Sequence, residues 1–375
     1  MISQIISLSF KDVYERYKDE YQIIGDYYSK NLLALEIKNT TVPFPEKLEN
    51  VNLPFKKNNN LIFFGLFTNF KSLLKNEFVL KNNELKQSIE ACLKNFEDFD
   101  SINYKIKKRN FVFNKSYIMG ILNVTPDSFS DGGHYFDRKA AAVHAIKMID
   151  EGADIIDIGG ESTRPGSDPV PEDEELNRVI PVIEKILSEK PDALISIDTT
   201  KHKVADEALK HGASIVNDIS GLTFDPETLS VVKEHDASLI IMHIKGTPKN
   251  MQKDPVYKNM IEEIYDFLDS QGRKAKEAGI KNIFIDPGIG FGKKISDNFE
   301  IIKRLADFKS LGYPIVIGVS RKSFIGKTLN LEVSERDHAT ALVESAAVMN
   351  GAKLIRTHNV KFGVHVSKLV SNIAY

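Results

Sequence analysis

From Tyr117 onward the chain repeats one pattern eight times: a short run rich in isoleucine and valine, a polar tip, then a stretch whose apolar residues recur at helical spacing. The runs are Tyr117–Val124, Asp154–Gly160, Leu194–Thr199, Ile215–Asp218, Leu239–Ile244, Ile283–Asp286, Ile315–Ser320 and Leu354–His358. Helical segments lie between them, among them Lys139–Glu151, Glu174–Ser188, Val204–His211 and Met260–Ala278. Gly152, Gly212 and Gly279 follow three of these, where a helix ends. Near-continuous apolar strands alternating with helices predict a parallel sheet covered on both faces. Eight units over about 260 residues match an α/β fold of the (β/α)8 TIM-barrel type. A doubly wound sheet fits less well, because no GxGxxG follows the first strand.

The first 115 residues have a different character. They carry 2 of the 22 glycines, 15 of the 26 asparagines and none of the nine histidines. They also hold 12 of the 22 phenylalanines, so they can bury a core. Leu32–Ile37 and Leu61–Phe67 read as strands, separated by the break at Asn58–Asn60, and Asn82–Phe96 reads as a helix. The expectation is a small N-terminal α/β domain over 1–115, without a chemical motif, preceding a catalytic barrel over 116–375. Lys105–Asn114 is a basic stretch that could join them.

Barrels of this type work at the C-terminal ends of their strands. The tips are Asn123; Glu161 to Arg164; Asp198; Asn217 and Asp218; His243 and Lys245; Asp286; Arg321 and Lys322; and Arg356 with His358. They fall into two groups. Arg164, Lys322, Arg356 and His358 suit a phosphate or pyrophosphate. Asp198, Asn217 and Asp286 offer acceptors to a ligand rich in N–H donors, and would be costly to bury unpaired. The site should take a donor-rich ring at one end and phosphate at the other. His243, between Met242 and Ile244, reads as a structural histidine.

The pieces around those tips resemble the dihydropteroate synthase family along the whole of 116–375. They are GILNVTPDSFS (Gly120–Ser130), DIGGESTRPG (Asp157–Gly166), IDT (Ile197–Thr199), NDISG (Asn217–Gly221), MHIKGTPKNMQ (Met242–Gln252), DPGIGFGK (Asp286–Lys293), SRKSFIG (Ser320–Gly326) and RTH (Arg356–His358). The family condenses 6-hydroxymethyl-7,8-dihydropterin pyrophosphate with p-aminobenzoate to 7,8-dihydropteroate and pyrophosphate. The resemblance implies that Asp198, Asn217, Asp286 and Lys322 bind the pterin. It implies that Thr163, Arg164, Pro165, Phe291, Lys322 and Ser323 bind p-aminobenzoate, Ser323 opening a helix after the seventh strand. Asn123, Arg164, Arg356 and His358 would meet the pyrophosphate, with Asn123 on Mg2+. Asn123, Arg164, Lys322, Arg356 and His358 would carry the catalysis, His358 donating to the leaving group when protonated. Loops Asn123–Gly133 and Ser162–Pro171 would close over the site. The resemblance also implies a homodimer.

A pterin-dependent methyltransferase on the same barrel is the alternative, but it has no reason to keep Thr163-Arg164-Pro165 or the cations Lys322, Arg356 and His358. Fifty basic against 52 acidic residues leave no field for nucleic acid. The longest apolar run, Leu61–Phe67, is far short of the roughly 20 residues of a membrane span. With one cysteine, Cys92, and no signal-peptide pattern, a cytoplasmic protein with small-molecule substrates is expected.

Overall fold

The computed structural model describes residues 1–21, 31–38, 40, 52–57, 59–125 and 133–374. It forms two compact units: Met1–Asp100 with Arg304–Gly312, and Ser101–Lys303 with Tyr313–Tyr375.

The first unit contains β1 (Ile2–Ser7), α1 (Lys11–Tyr21), β2 (Leu33–Lys38), β3 (Asn52–Lys57), β4 (Asn60–Gly65), α2 (Phe67–Leu73), α3 (Glu77–Lys81) and α4 (Asn83–Glu97). Among the described residues the strands pair antiparallel in the order β1-β2-β4-β3. Strand alternation separates two cores. Ile5, Leu35, Ile37, Leu61 and Phe63 pack with Phe70, Val79, Leu85 and Ile89 of α2 to α4. On the other face Ile6, Ala34, Ile62 and Phe64 pack with Val13, Tyr14 and Tyr17 of α1. The run Leu61–Phe67 is not one strand: it ends at Gly65, and Leu66 starts a helix whose Asn69 side chain accepts the Leu66 N–H at 2.8 Å. The unit also includes Arg304–Gly312, where Asp307 Oδ1 accepts the Ser7 N–H at 2.8 Å and the Ser310 carbonyl accepts from Asn95 at 3.1 Å.

The second unit opens with a hairpin, β5 (Asn103–Ile106) and β6 (Arg109–Val112). The barrel then runs through β7 (Tyr117–Asn123), α5 (Gly133–Asp150), β8 (Ile155–Gly159), α6 (Glu172–Glu189), β9 (Ile195–Asp198), α7 (His202–Lys210), β10 (Ile215–Asp218) and α8 (Thr228–Glu234). It continues with β11 (Ser238–Met242), α9 (Met260–Glu277), β12 (Ile283–Asp286), α10 (Ile295–Lys303), β13 (Ile315–Ile317), α11 (Ser323–Leu329), α12 (Asp337–Met349), β14 (Ala352–Thr357) and α13 (Val360–Ala374). Strands β7 to β14 pair in parallel, and β14 pairs with β7 to close the barrel as expected.

The stretch Lys105–Asn114 is a hairpin rather than a connector. Its basic residues face outward, whereas Ile106, Phe111 and Phe113 are buried against Tyr117, Met119, Leu194, Ile240 and Phe284 at the N-terminal ends of the barrel strands. Phe113 meets Phe284 and Tyr117 edge-on, with ring centroids 5.6 Å from each, and the Tyr104 hydroxyl donates to the Ile283 carbonyl at 2.8 Å. The barrel unit therefore begins at Ser101, upstream of the composition change at residue 115. The hairpin fills the end of the barrel opposite the polar tips. Replacing Phe113 by alanine would open a cavity there, with an expected loss of about 3–5 kcal/mol of stability, read by chemical denaturation.

Candidate functional site

The barrel strands are mostly apolar, and polar residues stand at or just beyond the C-terminal ends of most of them. Asn123 ends β7, Asp198 ends β9, Asn217 lies one residue from the end of β10, and Asp286 ends β12. Arg356 is one residue from the end of β14, and His358 follows it. Lys322 precedes α11, which Ser323 opens. Closure of the barrel puts these ends around one mouth.

A residue absent from the expected set organises the centre. Asp157, inside β8, is fully buried. Its Oδ2 accepts from Arg356 Nε at 2.6 Å and from Asn217 Nδ2 at 3.1 Å. Arg356 Nη2 donates to Asp198 Oδ2 at 2.6 Å. One guanidinium fork thus joins β8, β9 and β14, and a cation expected among the phosphate ligands sits inside the acceptor group. The sequence signal was an aspartate interrupting the apolar strand IIDIG. Burial pushes Asp198 up to about 7; Arg356 pulls it down, and Asp157 pushes it up again. Asp218, by contrast, is committed to its own turn, accepting the N–H groups of Ser220 and Leu222 at 2.8 Å each.

The other side of the mouth is built by the loop after β12. Asp286 Oδ1 accepts the Gly288 N–H at 2.7 Å. Gly288 lies at φ +72°, and a Cβ there would stand 1.9 Å from the His243 carbonyl oxygen, so the loop presses directly on the end of β11. Lys293 is buried beneath it, its Nζ 3.1 Å from His243 Nδ1 and 2.9 Å from the Phe291 carbonyl oxygen. Burial and this lysine pull His243 down to about 2, which keeps its ring neutral. Lys322 Nζ donates to the Ile289 carbonyl and lies 4.7 Å from the centre of the Phe291 ring. Burial lowers Lys322 to about 8, with Asp286 opposing. Burial raises Asp286, and Lys322 is the main group offsetting it.

His358 differs from expectation. Burial, with Arg321 and Arg356, pulls it down to about 3, so the unliganded ring is neutral. Its Nδ1 lies 2.9 Å from Ser320 Oγ, which also accepts the His358 backbone N–H at 3.1 Å.

The loop after β8 carries Thr163, Arg164 and Pro165. Its tip is a β-turn with Pro165 and Gly166 at the central positions: the Ser167 N–H donates to the Arg164 carbonyl at 3.1 Å, and Gly166 has φ +86°. Thr163 is half-buried, and Arg164 and Pro165 are exposed. Of the other expected loop, Asn123–Gly133, residues 126–132 lie outside the described residues.

Comparison with known proteins decides between the synthase and the methyltransferase. The pterin binding enzyme family matches residues 119–358. The dihydropteroate synthase of Bacillus subtilis is 46% identical over 258 residues, covering 68% of this chain and 88% of the relative. That of Escherichia coli is 44% identical over 256 residues, covering 68% and 90%. The chain belongs to the dihydropteroate synthase family. A crystal structure of the Clostridium difficile enzyme, determined in the presence of pteroic acid, superposes with a TM-score of 0.65 at 46% identity, covering 69% of this chain and 97% of that one. One from Xanthomonas albilineans with 4-aminobenzoic acid gives 0.68 at 36% identity, covering 73% and 98%. The family match begins at residue 119, downstream of Met1–Asp100 and of the hairpin.

Proposed function

We propose that this mouth joins the CH2 carbon of a pyrophosphorylated 6-hydroxymethyl-7,8-dihydropterin to the amino nitrogen of p-aminobenzoate. The observation that carries this reading is the meeting of a buried acceptor set (Asp157, Asp198, Asn217 and Asp286) with Arg356, Lys322 and His358 at one barrel mouth. The family relationship supports it. In the reaction the CH2–O bond breaks, pyrophosphate departs with the electron pair, the arylamine lone pair forms the C–N bond, and the nitrogen releases a proton. No protein nucleophile is required.

Asp198, Asn217 and Asp286 receive the pterin N–H donors, with Lys322 on the ring's acceptor side. Phe291, beneath the Lys322 amine, joins Thr163, Arg164, Pro165 and Ser323 around p-aminobenzoate. Asn123, Arg164, Arg356 and His358 meet the pyrophosphate. In this reading the Ser320 hydroxyl donates to His358 Nδ1, which leaves the ring proton on Nε2 for the departing oxygen. The histidine then acts without becoming an imidazolium first. Among the described residues no group of three or more His, Cys, Asp or Glu forms a metal cage. Mg2+ keeps most of its waters and takes few protein ligands, so one amide oxygen from Asn123 fits it; when bound, it would neutralise part of the pyrophosphate charge.

Turnover of the purified protein with dihydropterin pyrophosphate, p-aminobenzoate and Mg2+ tests the reading. Pyrophosphate and dihydropteroate are expected in equal amounts, and neither without p-aminobenzoate. Pterin binding without product would contradict it. The enzyme acts as a homodimer in this proposal: Leu342 and Met349 on α12 and Leu369 and Ile373 on α13 are exposed apolar side chains that a second copy would cover. Light scattering should then give twice the chain mass. No helix among the described residues is long and apolar enough to cross a membrane. A cytoplasmic location suits the buried free thiol of Cys92.

A further inference from the structure

The loop that carries Thr163, Arg164 and Pro165 is held at both ends by groups outside the substrate site. Glu161 leaves β8 just ahead of it. The Glu161 Oε2 atom accepts the N–H of Val170 at 3.2 Å, so one carboxylate ties the start of the loop to its end. The same oxygen accepts from Lys201 Nζ, in the turn between β9 and α7. Lys201 Nζ also donates to Glu175 Oε2 at 2.5 Å, on the first turns of α6, where the carboxylate is fully buried. Burial alone would pull the Lys201 amine down, but Glu161 and Glu175 raise it. Beside them Arg178 of α6 donates to the Gly160 carbonyl at 2.7 Å. At the tip, the Gly166 N–H donates to the Pro248 carbonyl at 3.0 Å, and the Ser167 hydroxyl lies 2.8 Å from the Arg164 carbonyl oxygen.

The side chains of Glu161, Glu175, Arg178 and Lys201 belong neither to the acceptor set nor to the cations assigned to pyrophosphate. Their common effect is to fix where the loop leaves and rejoins the barrel. We propose that Glu161 and Lys201 are positioning residues for the arylamine substrate, acting as a clamp on the loop that forms its pocket. This rests on the assignment of Thr163, Arg164 and Pro165 to p-aminobenzoate. The clamp presets the loop before the arylamine arrives, so the ordering cost is not charged against its binding. The pterin groups are held by separate hydrogen bonds, Asp198 by Arg356 and Asp286 by the Gly288 N–H.

Glu161→Ala is the informative substitution, because it leaves the Lys201–Glu175 pair intact. Lys201→Met would instead strand a buried carboxylate and unsettle the fold. The E161A protein is expected to show a KM for p-aminobenzoate raised tenfold or more at saturating dihydropterin pyrophosphate. Its dissociation constant for free pterin, by calorimetry, should stay within twofold of wild type. Glu161→Gln keeps an acceptor for Val170 and loses only the charge, so its KM should rise at least threefold but less than that of E161A. E161Q also carries the test should E161A not accumulate as folded protein. Asp168→Asn breaks the exposed ion pair with Lys249 on the same loop and is expected to change neither constant more than twofold. An unchanged KM in E161A or E161Q, or a parallel loss of pterin affinity, overturns the clamp while leaving the reaction in place. Wild-type protein that binds pterin but consumes no p-aminobenzoate overturns the arylamine pocket and the clamp with it.

Discussion

Asp286→Asn is expected to weaken pterin binding at least about 100-fold, or about 2.7 kcal/mol, in calorimetry with the free pterin. The substitution is nearly isosteric. Asparagine Oδ1 can still accept the Gly288 N–H, so the loop after β12 keeps its anchor. What changes is the side facing the ligand. A carboxylate oxygen that accepts from N–H donors becomes an NH2 that opposes them, and an unmet donor in a buried site costs as much as the bond it replaces. The change also removes the negative charge that offsets Lys322 and Lys293. Pterin affinity equal to wild type would remove Asp286 from the site.

Arg356→Ala is expected to damage both the fold and the chemistry. The guanidinium is the hydrogen-bonding partner of Asp157 and Asp198, both buried, and stranding buried carboxylates costs about 3–5 kcal/mol. The pH dependence has a definite sign. Asp198 titrates at about 7 in the folded protein, against about 3.9 in an unfolded chain. Between those values the folded state holds a proton that the unfolded state has lost, so this group erodes stability as pH rises and levels off above about 7. Without Arg356 the folded value climbs further and the erosion continues. The stability gap between wild type and variant, measured by denaturant, should therefore be wider at pH 8 than at pH 6. Equal gaps would show that Arg356 does not hold the aspartate ionised. Because Arg356 is also placed against pyrophosphate, the variant should lose affinity for the pyrophosphorylated pterin more than for the free pterin. Equal losses would confine its role to the aspartates.

The barrel was legible because its strands are short apolar runs rich in isoleucine and its helices repeat every three to four residues. Periods of that kind survive in a linear string. The tips were legible for the same reason: a polar residue ending an apolar run stands out, and fold geometry says which end matters. Asp157 escaped because it lies within a strand rather than at its tip. Lys293 ends DPGIGFGK, and nothing in that spacing shows that its amine lies under the loop against His243. The hairpin Asn103–Val112 escaped because its basic residues hid the alternation that buries Ile106, Phe111 and Phe113. In the first unit α2 and α3, of seven and five residues, carry too few turns to announce themselves.

Repeating pattern and residue type along the chain were sufficient for the fold class, the working end of the barrel and the two chemical groups that meet there. Pairing is another matter. Arg356 reaches Asp157 across 199 sequence positions, and Arg356 is a ligand of two aspartates before it can be a ligand of any phosphate. The same barrel closure buries His358 beside Arg321 and Arg356 and so leaves it neutral. Hydrogen-bond partners, burial and the resulting proton affinities depend on distances between residues far apart in the chain. Periodicity carries no record of those distances, and only the closed barrel sets them.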